Sequence, residues 1–166
     1  MKALRTLFWQ TLKAACVVAG LVAAAPASHA QTGPFTGLEG AWSGGGTILV
    51  GDNGSERIRC RANYQVDGGG NNLHQTIRCA SDSYRFDLSD SLIAEGGRLT
   101  GAWQEATRNV GGNIEGRASH GQYNATVTGI GFTASVSMVT HGSRQSIAIN
   151  SKDATNLRGV QITLNR

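Results

Sequence analysis

From about residue 40 onward, apolar and polar residues alternate in short runs, and each run stops at a cluster of Gly, Asn, Asp or Ser. A period of two marks half-buried strands, because successive strand side chains point to opposite faces of a sheet. The pattern places strands over 40–50, 56–66, 73–80, 83–88, 91–95, 98–106, 113–119, 122–129, 131–139, 144–150 and 158–165. The separators include Gly51-Asp52-Asn53-Gly54, Asp67 to Asn72, Glu95-Gly96-Gly97 and Thr140-His141-Gly142-Ser143, all residue types that accept positive φ in tight turns. No stretch carries a helical apolar period of useful length. Short turns between consecutive strands favour an antiparallel meander, and a sheet this long leaves exposed edges unless it closes. The expected fold is all-β: an up-and-down antiparallel meander of about 8–11 strands closing into a barrel or strongly curled sheet. A two-sheet sandwich is the rival.

The first thirty residues follow a different logic. Lys2, Arg5 and Lys13 give a basic start with no acid, Ala14 to Ala25 is apolar, and Pro26 to Ala30 ends in the small residues that a signal peptidase reads. The apolar run is about 18 Å long as a helix, too short for a hydrocarbon core of roughly 30 Å. Residues 1–30 are therefore expected to be a cleaved signal peptide. Residues 31–37 would form a short polar N-terminal segment and 38–166 a single barrel-like domain, periplasmic or secreted, with no transmembrane segment. Cys16 would leave with the signal. It is no lipid-anchor site, since Lys13 stands where a lipoprotein signal needs an apolar residue and the apolar run follows the cysteine. The charge changes too: the chain has 15 basic and 11 acidic residues, and loss of Lys2, Arg5 and Lys13 leaves 12 against 11. A near-neutral domain gives no electrostatic case for nucleic acid.

Cys60 and Cys79 remain as one even pair, which in an exported chain reads as a disulfide. Setting them opposite each other in a hairpin pairs Ala62 with Ile77, Tyr64 with Gln75 and Val66 with Leu73, so sulfur pairing and hydrophobic pattern agree. Opposed Cβ atoms are close enough for a bridge only at a non-hydrogen-bonded pair. The closed loop holds 18 residues. On the opposite face of this hairpin stand Arg57, Arg59, Arg61 and Arg78. The register sets Arg61 against Arg78, a like-charge pair that an anion, an acidic partner or nearby Asp82, Asp87 or Asp90 would relieve.

Other chemistry is sparse. Glu105 shares strand parity with Leu99, Gly101 and Trp103, and Glu56 shares it with Ile58. Each is either a ligand-orienting carboxylate or a strand-end residue reaching water. The sequence lacks a His-x-His, His-Glu-x-x-His or cysteine ligand cluster, a Gly-x-Ser-x-Gly elbow and a Gly-Lys-Ser/Thr after Gly44-Gly45-Gly46. No catalytic residue, metal or cofactor is therefore expected. Leu38-Glu39-Gly40-Ala41-Trp42 and Leu99-Thr100-Gly101-Ala102-Trp103 share a pattern, read as two tryptophans in opposite parts of one core.

Gly40-Ala41-Trp42 on the first strand, followed by a meander, resembles the calycin barrels (lipocalins, avidins and fatty-acid-binding proteins), whose early Gly-x-Trp packs across one barrel end. The longer set Gly40-x-Trp42-x-Gly44-x-Gly46, Arg59-Cys60-Arg61, Arg78-Cys79-Ala80 and Gly101-x-Trp103-x-Glu105 is similar to a family of small exported Gram-negative bacterial proteins of no assigned function. That resemblance implies a barrel-like envelope protein and transfers no catalytic residue. Small periplasmic inhibitors of metalloproteases and lysozymes are similar in size, barrel form and disulfide count.

Two functions follow as expectations. The first is a non-catalytic barrel binding a small, largely apolar ligand, lined by Trp42, Tyr64, Phe86, Trp103, Glu105, Tyr123 and Phe132. Small inward residues such as Gly101, Gly116, Ala118, Ala125 and Ala134 would either hollow this interior or make room for the aromatics. The second is a protein-interaction module or inhibitor that meets an acidic partner through Arg57, Arg59, Arg61 and Arg78.

Overall fold

The computed structural model describes residues 32–52, 54–67, 69–153 and 156–166, so the expected signal segment lies outside the described residues. Ten strands follow in chain order: β1 (Gly40–Val50), β2 (Gly54–Val66), β3 (Asn72–Ala80), β4 (Arg85–Glu95), β5 (Arg98–Glu105), β6 (Val110–Ser119), β7 (Gln122–Gly129), β8 (Phe132–His141), β9 (Arg144–Ser151) and β10 (Leu157–Asn165). Each pairs antiparallel with the next, and β1 pairs with β10, so the sheet closes into a barrel rather than splitting into a sandwich. Closure removes both edges, which is what so long a meander requires. Among the described residues no helix is long and apolar enough to cross a membrane.

The alternation read from the sequence sorts inside from outside. In β2, Ile58, Cys60, Ala62 and Tyr64 are buried while Arg57, Arg59, Arg61, Asn63 and Gln65 are exposed. The hairpin register is the expected one, with Cys60 opposite Cys79, Ala62 opposite Ile77, Tyr64 opposite Gln75 and Val66 opposite Leu73. The Cys60–Cys79 disulfide forms at a Cα separation of 4.1 Å, the close approach of a non-hydrogen-bonded pair.

One element differs from the sequence reading. The segments 83–88 and 91–95 belong to a single strand, β4, which runs through Ser89-Asp90-Ser91 without a turn. Polar residue types suggested a break there, but Ser89 and Ser91 lie opposite Thr76 and His74 of β3 on the outer face. Asp90 then falls on the inner face with Phe86, Leu88, Leu92 and Ala94. The glycine run of β1 also finds its reason. A Cβ at Gly44 or Gly46 would collide with the backbone carbonyl of Thr163 or Gln161, so β1 coils against β10 more tightly than any other residue allows.

The two barrel ends differ. Residues 69–71, 96–97, 120–121 and 142–143 share one end with the N-terminal segment, which lies across it. There Gly33 and Phe35 donate backbone hydrogen bonds to Gly69 and Gly70, and Gly121 donates to Pro34 at 2.7 Å. Phe35 and Leu38 insert beneath Trp42, each 1% exposed. The Trp42 indole N–H donates to the Leu38 carbonyl at 2.8 Å. The Arg166 guanidinium covers the outer side of that indole at 4.9 Å and donates to the carbonyls of Gly37 and Glu39. This end is sealed. Nothing comparable among the described residues crosses the other end, where residues 51–52, 81–84, 106–109, 130–131 and 152–153 meet.

Candidate functional site

Inward-facing side chains record how far solvent reaches. At the sealed end Leu73, Leu92, Leu99 and Leu164 are at most 1% exposed. Toward the open end Ile77, Phe86, Leu88, Val127, Phe132, Val136 and Ile149 also face inward, yet each is only partly buried. The open half of the barrel, the cup, thus has apolar walls that water reaches unevenly, since Ile48, Ile58 and Ala134 there are at most 2% exposed. Its rim is aromatic: Tyr84 and Phe86 stack with ring centroids 6.3 Å apart, and Phe132 meets Trp103 edge-on at 6.0 Å. Arg108 lies over the Phe86 ring at 5.1 Å, a guanidinium on a π face.

Polar side chains cross the barrel below the cup. Tyr64 donates to Gln145 Oε1 at 2.5 Å, and Gln145 passes the bond on to Thr140 Oγ1 at 3.1 Å. Beside them Gln75 Nε2 donates to Asp90 Oδ2 and approaches the Tyr123 hydroxyl at 3.5 Å. Gln75 Oε1 and Asp90 Oδ1 are buried and have no hydrogen-bond partner. Burial pushes the Asp90 carboxyl up to about 7, a rise that the Gln75 hydrogen bond only partly opposes. Burial likewise raises the Tyr64 and Tyr123 hydroxyls well above the usual tyrosine range, and the neighbouring Asp90 charge adds to both.

The residues expected to line a ligand site divide into three groups. Phe86, Trp103 and Phe132 stand at the cup, with Trp103 anchored by an indole bond of 3.0 Å to the Thr128 carbonyl. Trp42, Tyr64 and Tyr123 lie deeper, Trp42 and Tyr64 packed 6.1 Å apart. Glu105 sits apart in function: its carboxylate accepts from the backbone N–H groups of Asp87, Thr107 and Arg108 at 3.0, 3.1 and 2.9 Å. It also accepts from the Thr107 hydroxyl at 2.6 Å and from Arg108 Nη1 at 3.3 Å. Burial would raise its pKa, but these donors together overcome that and bring it down to about 2. Its acceptor positions are filled by its own hairpin. Glu56 does similar work for the β3–β4 turn, accepting from the Ser83 N–H at 2.8 Å, and this bond holds its carboxyl below the usual range.

Gln75 and Gln145 were not singled out from the sequence, and Asp90, expected as one of the acids that could relieve Arg61 and Arg78 on the outer face, instead turns inward to Gln75 and leaves that role to Asp87. Gln75 was placed on the inner face by the hairpin register, and continuing the parity of Phe86 and Leu88 through to Leu92 would have put Asp90 there as well. The small inward residues also divide: Gly101 and Gly116 sit where a Cβ would collide with the carbonyls of Ser91 and Asn124, so they allow curvature rather than add volume.

On the outer wall, Arg61 faces Arg78 as the register required. Arg78 is relieved by Asp87, with Nε 3.0 Å from Oδ2. Among the described residues Arg57, Arg59 and Arg61 have no ion pair. An open groove of about 430 Å³ passes His74, Ser91, Ala102 and Gln104 outside the barrel. There His74 Nδ1 and Ser91 Oγ lie 2.8 Å apart in full exposure, with no carboxylate on the imidazole among the described residues. No group of three metal-ligating side chains comes together among them either.

The fold and the sealed Gly40-x-Trp42 end define a calycin-like antiparallel barrel. No family model matches the sequence, and no curated protein does. Among solved structures the barrel is similar to an S-type phycobiliprotein lyase from Guillardia theta, 9% identical, with a TM-score of 0.55 over 80% of this chain and 89% of that one. At that identity the likeness shows the shared barrel fold.

Proposed function

We propose that the protein is an exported, non-catalytic carrier that takes a small, largely apolar ligand into the open end of the barrel. The observation behind this is the set of partly exposed inward side chains toward the open end, Ile77, Leu88, Val127, Val136 and Ile149, which stand beside the fully packed Ile48, Ile58 and Ala134. Apolar surface left in contact with water forfeits about 25 cal/mol per Å², which a ligand covering it would recover. A polar floor under apolar walls is also the usual composition of small-molecule sites, where a few polar groups fix orientation. The barrel likeness to a phycobiliprotein lyase agrees with this reading, and the disulfide suits the periplasm or the cell exterior. These features also fit the resemblance to small exported Gram-negative proteins. The test is titration with a neutral apolar dye, N-phenyl-1-naphthylamine. Saturable binding of one dye per chain is expected, lost in an Ile149→Trp variant whose circular dichroism is unchanged. A folded variant that binds as well as the parent places the dye elsewhere and sinks the proposal.

A second reading rests on Arg57, Arg59 and Arg61, exposed in one row and without ion pairs among the described residues. It makes this strand face the contact for an acidic protein partner. Such a complex would weaken steeply as salt rises from 0.05 to about 0.5 M, as screening shortens the reach of surface charges. An Arg59→Ser/Arg61→Ser variant of unchanged stability would lose it. Salt-independent capture would remove this reading.

A further inference from the structure

The polar floor of the barrel carries information about the ligand itself. On β4 the inner face reads Phe86, Leu88, Asp90, Leu92, Ala94, and solvent access falls to 1–2% at Leu92 and Ala94, immediately past the acid. On β3 Gln75 is 4% exposed beside partly buried Ile77, and Cys79 beyond it is buried again at 6%. Asp90 and Gln75 lie side by side at one level of the inner wall. They are paired in register and hydrogen-bonded to each other through one oxygen of the acid. That bond consumes Gln75 Nε2 and Asp90 Oδ2, and it leaves Gln75 Oε1 and Asp90 Oδ1 enclosed with nothing donating to them.

Two adjacent orphaned acceptors are an unusual arrangement, since burying an unsatisfied polar group is costly and most buried polar atoms have partners. Their chemistry is selective. Once the acid is ionised, above about pH 7, both atoms require donors, so a carboxylate or phosphate is repelled and a ketone or ether has nothing to give. A nitrogen cation supplies several N–H donors together with the charge that an ionised carboxylate attracts. We infer that the ligand of this barrel carries an ammonium group that seats on Asp90 Oδ1 and Gln75 Oε1, with its apolar body extending toward the Phe86 and Phe132 rim. This rests on the reading of the barrel as a small-molecule carrier and names the head group. Asp90 to Phe86 covers four residues, about 13 Å of strand or about 10 Å along the axis of a barrel whose strands tilt by roughly 40°. A linear body of about that length fits between floor and rim.

No competing cation occupies the floor. Around Asp90, β3 presents Gln75, β5 presents Trp103, β7 presents Tyr123 and β2 presents Tyr64, and among the described residues no basic side chain takes an inward strand position. Both tyrosines are held neutral by burial. The acid holds its proton up to about pH 7, so a bound ammonium must displace that proton below this pH. Affinity should then fall about tenfold for each pH unit below 7 and level off above it.

The experiment compares three eight-carbon probes on the whole folded protein by displacement of the naphthylamine dye: n-octylammonium, 1-octanol and octanoate. At pH 8 octylammonium should bind at least tenfold more tightly than octanol, with octanoate weakest. Octylammonium affinity should drop about tenfold between pH 7 and pH 6 while octanol affinity stays constant. Asp90→Asn should remove the preference and leave octanol within twofold. Equal binding of octylammonium and octanol, or a preference that survives Asp90→Asn, overturns the inference and leaves the apolar carrier standing. Failure of all three probes and of the dye overturns the carrier reading itself. If Asp90→Asn does not fold, the probe ranking and pH dependence of the parent protein still decide.

Discussion

Replacing Glu105 by Gln separates a structural carboxylate from a ligand-orienting one. Glu105 is 4% exposed and receives five donors, three of them backbone N–H groups of the β5–β6 turn and the facing strand. Its carboxyl lies at about 2 in the folded protein against an ordinary 4.5. Because the folded value is the lower one, the stabilisation is complete above pH 4.5 and drains away as pH falls toward 2. The difference corresponds to about 3 kcal/mol at neutral pH, an upper figure because the hairpin end lies near water. Glutamine keeps one acceptor but turns an amide N–H₂ toward donors that need an oxygen. Glu105→Gln should therefore unfold at a lower urea concentration at pH 7, by a margin approaching 3 kcal/mol. That margin should shrink between pH 4.5 and pH 2. Tryptophan fluorescence in urea at a series of pH values reads both effects, and dye affinity of the folded variant should match the parent. A variant within about 0.5 kcal/mol of the parent at pH 7, or one that folds normally but loses the dye, would refute the hairpin assignment.

Asp90 acts in the opposite direction. Burial keeps its carboxyl protonated to about 7 in the folded state while the unfolded chain ionises near 3.8, so its contribution is complete at low pH and is lost as pH rises through 7. The cost by pH 7.5 approaches about 4 kcal/mol, and with Glu105 it places maximum stability near pH 4–5. Urea midpoints at pH 4.5 and 7.5 should differ in the parent and converge in Asp90→Asn; a variant as pH-sensitive as the parent counts against a buried acid. Reduction of Cys60–Cys79, which are 19 residues apart, should cost about 3 kcal/mol through loop entropy. Denaturation with and without reductant measures that, and equal midpoints would show that the bridge contributes nothing to stability.

The barrel was largely legible because its informative signals are local and redundant. Strand parity, turn chemistry and the Cys60–Cys79 register each point to the same hairpin, and the structure reproduces that register pair for pair. The rim aromatics Phe86, Trp103 and Phe132 followed from inward parity alone. The polar floor was harder to read, for a physical reason. Ser89-Asp90-Ser91 has the composition of a turn, and a barrel that keeps polar groups inside uses those same residue types in mid-strand. Periodicity also cannot tell a carboxylate aimed at a ligand from one aimed at its own turn. Glu105 and Asp90 share inward parity, and only their hydrogen-bond partners separate them.

The central claim, that the open half of the barrel holds a small molecule, is met most directly by native mass spectrometry of the protein isolated from its host, beside the same sample denatured. The account predicts one non-covalent adduct of small-molecule mass per disulfide-bonded chain, absent after denaturation and displaced by excess n-octylammonium. A bare chain that also takes up neither naphthylamine dye nor octylammonium under native conditions would contradict it.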